Sequence, residues 1–146
     1  MNPTPDWLSL THEETIDPAL AICDPHHHLW RNRPNSLPCT YLLDDFLSDI
    51  HAGEHNIVSS VFIECGTMFS ADGPVDLRPI GETQFANDMA AISASGLYGQ
   101  TRVAAGIVGT AFLSAGDSVA SVLDAQLAAG GNRFKGIRQA AARDDD

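Results

Sequence analysis

Apolar positions along the chain fall into two rhythms, one of period two and one helical, and their succession predicts the elements. After a polar opening broken by Pro3, Pro5 and Pro18, residues 22–28 (ICDPHHH) begin a first strand. Residues 31–40 hold Pro34, Asn35 and Pro38 and read as a loop. From 41 to 52 the spacing turns helical, with Leu42, Leu43, Phe46, Leu47 and Ile50 on one stripe and Asp44, Asp45 and Asp49 on the other, closed by Gly53. Residues 58–65 (VSSVFIEC) are β-branched and apolar, a second strand. A loop over 66–79 follows, and loops of that length are often functional. A second helix over 80–95 carries Phe85, Met89 and Ile92 on its apolar face and stops at Gly96. Residues 102–108 (RVAAGIV) form a third strand, and 117–129 a third helix with Val119, Val122, Leu123 and Leu127 facing inward. Residues 134–139 (FKGIRQ) form a fourth strand, and the acidic tail beyond it reads as a solvated end.

The order is β-α-β-α-β-α-β, with strands recurring about every 30–45 residues, as βα units of a parallel sheet do. Two α/β architectures fit, a (β/α)8 barrel and an open doubly wound sheet. A full barrel takes about 250 residues. With 146 residues the chain supplies about four βα units, a partial TIM barrel spanning 20–146 behind an extended arm over 1–19. Such a half barrel leaves both edge strands and one sheet face uncovered, so the isolated chain is expected to self-associate, completing a barrel with a second copy.

Composition narrows the class. At 44% hydrophobic and 18% charged the chain is globular rather than disordered. A formal net charge of -11 argues against nucleic acid and anionic membranes as partners. The one local basic cluster is Arg133, Lys135 and Arg138, whose plainest reading is a solvated strand end. No window is apolar enough for a membrane helix, and the opening residues lack the pattern of a signal peptide. Three cysteines (Cys23, Cys39 and Cys65) cannot all pair within one chain and show no C-x-x-C spacing, so a reduced, cytoplasmic protein is expected.

Chemistry concentrates in Asp24-Pro25-His26-His27-His28. Alternation along a strand puts His26 and His28 on one face, with Asp24 behind them in support, and turns His27 into the packing on the other. Two imidazoles two residues apart at a strand end can reach one divalent ion, and the C-terminal ends of parallel strands are where α/β proteins bind ligands. The competing reading is a pair of histidines bonded to the backbone. Three polar residues on an inner face are costly unless used, which favours a site. Glu64 falls near the end of the second strand on the face of Ser60 and Phe62, as a metal or substrate contact or a carboxylate facing water. Arg138, alternating with Gly136 and Phe134, is a candidate to grip a substrate carboxylate with its two-pronged guanidinium, or a surface ion pair. Cys23 and Cys65 alternate away from His26 and Glu64 and read as packing residues, and Trp30 as packing or as a pocket lip. No phosphate loop, dinucleotide fingerprint or nucleophile elbow is present.

The run D-P-H-H-H-L-W resembles the first-strand D-x-H-x-H signature of the amidohydrolase superfamily. More narrowly it is similar to the amidohydrolase-related (amidohydrolase 2) group, which includes sugar lactonases. VFIECGTMF, TRVAAGIVG and RFKGIR sit where that group carries its second, third and fourth strands, so the likeness covers about residues 20–140. It implies a (β/α)8 fold and hydrolysis of a lactone, ester or amide by activated water. A divalent metal, zinc in the first instance, would be held at His26 and His28; some lactonases of the group dispense with it, and the histidines would then contact substrate. The group also contains metal-dependent decarboxylases. Its further histidine and its basic aspartate come from later strands that this chain does not carry. Asp144, Asp145 and Asp146 lie in the wrong place to replace them, and Gln139 stands where related sequences often have histidine. No catalytic base is therefore assigned within the chain, which on its own is expected to be incomplete and inactive. A non-catalytic metal-binding fragment is the third reading.

Overall fold

The structure, a computed structural model, describes Thr11 and residues 13–140. Four parallel strands, β1 (Ile22–His27), β2 (Ile57–Ile63), β3 (Arg102–Thr110) and β4 (Phe134–Arg138), form one sheet in the order β1-β2-β3-β4. Helices α1 (Leu43–Ala52), α2 (Ile80–Ala94) and α3 (Val119–Gly130) connect them in turn. A doubly wound sheet reverses its strand order at a switch point. Here each strand pairs with the next in sequence, as in a run of barrel βα units, so the partial-barrel alternative is the one the chain adopts. Among the described residues no helix is long and apolar enough to cross a membrane.

One core lies between the helices and one face of the sheet. Leu29, Phe62, Val103, Ala104 and Ile107 from the sheet side meet Leu43, Phe46 and Leu47 of α1 and Phe85, Ala86 and Ala90 of α2. α1 starts where Asp45 in its first turn accepts a hydrogen bond from the Leu42 N–H at 2.8 Å, which satisfies an amide that the helix itself leaves open. The register of β3 slips against β2 between Ser59 and Val61, and Ala104 there takes a left-handed φ of 51°. The buried Ser60 hydroxyl accepts the Ala104 N–H at 3.1 Å, so the bulge leaves no amide orphaned.

The inward faces of α2 and α3 match the predicted ones in part, with Phe85 and Val122 buried and Met89 packed on the core. Ile92 and Leu127 are exposed, and the buried residues are Glu82, Thr83, Phe85, Ala86, Ala90 and Ser93 in α2 and Val122, Gln126 and Gly130 in α3. The cause is Gly109 in β3. A Cβ there would lie 2.8 Å from Thr83 Oγ1 and 3.0 Å from Gln126 Oε1, so the bare strand lets both helices close in through polar side chains. Thr83 donates to Gln126, and Gln126 donates to the Thr110 carbonyl at 2.8 Å. Each group is satisfied without water, which is what lets polar residues occupy a core.

The opposite face of the sheet carries other side chains. A Cβ on Gly106 would touch Val61 and Lys135, whereas one on Gly109 would meet the helices. β1 and β4 are the edge strands. Of the predicted arm, residues 1–10 and 12 lie outside the described residues, as do 141–146 of the tail. Thr15 of the arm hydrogen-bonds the Glu54 carboxylate through both its N–H and its hydroxyl.

Candidate functional site

Three consecutive histidines end β1 in two environments. His27 is 5% exposed and stacks on Phe46 with ring centroids 4.3 Å apart. Its Nδ1 donates to the Val61 carbonyl at 3.0 Å, while Nε2 is buried without a partner among the described residues. Burial lowers its pKa to about 4, partly opposed by the Asp24 charge, so the ring is neutral at neutral pH. It is a packing residue.

His26 and His28 point the other way and converge. Their Nε2 atoms stand 3.2 Å apart, with ring planes at 88°. His28 Nδ1 lies 2.7 Å from the Ile63 carbonyl, which can only accept. Nδ1 therefore carries the proton, and the Nε2 of neutral His28 is a bare lone pair aimed at His26. In that tautomer the His26 Nε2–H donates across the gap, a place that a metal ion could take instead. Two zinc–nitrogen bonds of about 2.1 Å at a tetrahedral angle span about 3.4 Å. The pair thus fits a divalent ion as two of its ligands, and the bond to Ile63 is the kind of outer contact that fixes a ligating histidine. Asp24 accepts the His26 backbone N–H at 3.0 Å, closing a tight turn at the register slip between Asp24 and His27. Its role is to present the pair. Among the described residues no group of three or more metal-ligating side chains converges.

The next rim of the sheet, at the ends of β2, β3 and β4, brings Glu64 and Arg138 together. Arg138 Nε donates to Glu64 Oε1 at 2.6 Å, and its Nη2 donates to the Glu64 carbonyl at 2.7 Å. Thr110 donates to the other carboxylate oxygen at 3.0 Å. Glu64 therefore does not share the face of Ser60 and Phe62. It lies one residue beyond β2, where alternation no longer holds, and turns toward Thr110, away from the core that Phe62 enters. Phe134 likewise departs from the face of Arg138. Phe134 pairs with Ile107 and Gly136 with Val108, so Lys135 is an extra residue that flips the alternation. Phe134 meets Gly130 of α3, while Arg138 and Thr110 pair across the strands. Glu64, Phe69, Thr110, Phe112 and Arg138 line a cavity of about 290 Å³. A larger hollow of about 430 Å³, lined by residues such as Glu14, Asp17 and Ile22, sits at the start of β1, away from the strand ends where ligands bind.

The basic cluster separates on folding. Arg133 donates to Asn87, Lys135 to the Asn132 carbonyl and Arg138 to Glu64. Trp30 stacks on Tyr41 with centroids 5.1 Å apart and donates to the Pro38 carbonyl, a packing role. Cys65 is half-buried and points its thiol at the Leu29 carbonyl. Burial, then the neighbouring Glu82, pushes that thiol up to about 12, far from reactive. Cys23 is exposed, contrary to the packing role expected, and sits on an edge strand.

Sequence reasoning missed Glu82. It is fully buried in the first turn of α2, and its Oε1 accepts the N–H groups of Cys65 (2.8 Å) and Thr67 (3.0 Å). Its other oxygen has no partner among the described residues. Burial raises its pKa against the pull of the two amides. The carboxyl thus ties down the backbone that leaves β2 just after Glu64. No local pattern signals it, because a glutamate at the third helical position bonds the cap residue's own N–H and the cap here is Pro79, which has none.

Comparison with protein-family models, with curated proteins and with solved structures gives no match to this chain.

Proposed function

We propose that the strand-end rim is part of a metal-dependent hydrolase site of the amidohydrolase type, acting on a lactone or similar carboxylic ester through activated water. The observation that carries this reading is the 3.2 Å approach of the His26 and His28 Nε2 atoms, one of them a bare lone pair. A divalent ion, zinc in the first instance, would be held by these two nitrogens and would supply Lewis acidity toward a carbonyl oxygen and toward water. Within the chain, Asp24 and the Ile63 carbonyl aim the histidines, and Arg138 offers a substrate oxygen the N–H groups that no described residue accepts. Glu64 is not a free base, since both its oxygens are engaged.

A non-catalytic, metal-binding role is the second reading, favoured by the lack of a third ligand among the described residues. Both readings predict zinc binding, and only the first predicts turnover, once a second copy completes the barrel. Zinc titration by calorimetry, followed by a pH-monitored lactone panel, tests them. A chain that takes up no zinc sinks both, and acid release from any lactone rejects the second. The edges of β1 and β4 make self-association of the isolated chain part of the proposal, and a monodisperse monomer in sedimentation would count against it. A reducing, cytoplasmic setting accords with Cys23, Cys39 and Cys65 all being free.

A further inference from the structure

The cavity at the ends of β2, β3 and β4 has a guanidinium in its wall, the usual mark of a carboxylate site. Its bonding says otherwise. A guanidinium carries five N–H donors in a fixed fork. Two of them are spent on Glu64, one on Oε1 at 2.6 Å and one on the main-chain oxygen at 2.7 Å, and the second carboxylate oxygen is held by Thr110 at 3.0 Å. The pair is net neutral and partly screened from water, with side-chain exposures of 42% for Arg138 and 15% for Glu64. An incoming carboxylate would meet the Glu64 charge beside the Arg138 charge, on a chain whose formal net charge is already -11. A neutral carbonyl meets no such repulsion and can take the remaining guanidinium N–H groups. Phe69 and Phe112, 38% and 36% exposed, give the same cavity apolar walls. A volume of about 290 Å³ suits a ligand of one ring.

We infer that this cavity selects an uncharged, ring-bearing ester, lactone or amide, and that Glu64 is the specificity-determining residue that turns carboxylates away. As a statement about substrate this rests on the hydrolase reading and sets it against decarboxylation, whose substrates are anionic acids. As a statement about binding it stands without a metal or a reaction.

The test uses the matched probes phenylacetamide and phenylacetate, titrated into the 146-residue chain with a chelator present and followed by NMR. The amide is expected to shift signals of Thr110, Phe112 and Arg138 and to bind at least about tenfold more tightly than the acid. In Glu64→Gln the guanidinium keeps an acceptor but loses its counter-charge, and the preference is expected to move at least about tenfold toward phenylacetate. Equal or tighter binding of phenylacetate to the unsubstituted chain overturns the inference, as does a failure of both probes to shift these signals. So does an unchanged preference in a folded Glu64→Gln. Should that variant not fold, the amide-to-acid ratio of the unsubstituted chain decides alone. Zinc plays no part in these titrations. A chain that prefers the amide but takes up no zinc retires the hydrolase reading alone, and one that binds zinc without the preference retires this inference alone.

Discussion

The two rims at the strand ends differ in what they leave unfinished. Glu64 and Arg138 are opposite charges that satisfy each other, with Thr110 completing the carboxylate. His26 and His28 are like groups whose nitrogens converge without a counterpart other than a proton or a cation. One rim has its charges balanced as folded and keeps only spare guanidinium N–H groups, while the other shares a single bridging proton. What a polar pair can still bind is therefore set by the valence it leaves unused, not by its proximity.

The largest expected effect tests that asymmetry. His26→Ala or His28→Ala should weaken zinc binding by at least about a hundredfold, since even outer-shell changes cost up to that much. His27→Ala should leave zinc affinity nearly unchanged while lowering stability by about 2–3 kcal/mol, because its ring fills the space against Phe46. Calorimetry with zinc and chemical denaturation separate the two effects, and a large zinc defect in His27→Ala alone would reverse the assignment of the faces.

Next in size, Glu82→Ala should cost about 3 kcal/mol in urea unfolding, because the Cys65 and Thr67 amides lose their acceptor inside the protein. An effect below about 1 kcal/mol would show that water replaces the carboxyl there. At the charge-balanced rim, Arg138→Ala should cost only about 1 kcal/mol, since the pair is partly exposed and Thr110 still serves Glu64.

The smallest effect is a pH slope. The folded chain holds the Glu82 proton more tightly than the unfolded chain does, so folding takes up protons above the ordinary value of 4.5. The stability that Glu82 contributes is full below that pH, falls as pH rises toward its folded pKa and levels off above it. Other carboxylates titrate in the same range, so the measurement is the difference between the unsubstituted chain and Glu82→Gln. That difference should change with pH over this window and be flat at higher pH. A difference independent of pH would mean that Glu82 titrates normally.

Much of this was legible in the sequence. The four strands follow from β-branched and apolar runs, and the opposed roles of His27 and its two neighbours follow from alternation alone. Alternation failed where the backbone departs from it. Glu64 sits beyond the last paired residue of β2, and Lys135 adds a residue to β4, so both predictions of face went astray. Part of the inward faces of α2 and α3 was misread for another reason. Apolar periodicity chose Ile92 and Leu127, but a glycine on a distant strand made room for Thr83 and Gln126, and no helix encodes that room locally. Glu82 escaped notice because a wholly buried carboxyl is rare and its amide partners lie on another element.

His28 leans on the Ile63 carbonyl and Arg138 on the Glu64 carbonyl, so adjacent peptide groups serve the two rims. A twist of the backbone where β2 ends would swing both acceptors together. Neither the imidazole nor the guanidinium can be re-aimed alone by moving this segment, and a sequence change meant to tune one would arrive at the other through the one α-carbon that joins the two peptide groups.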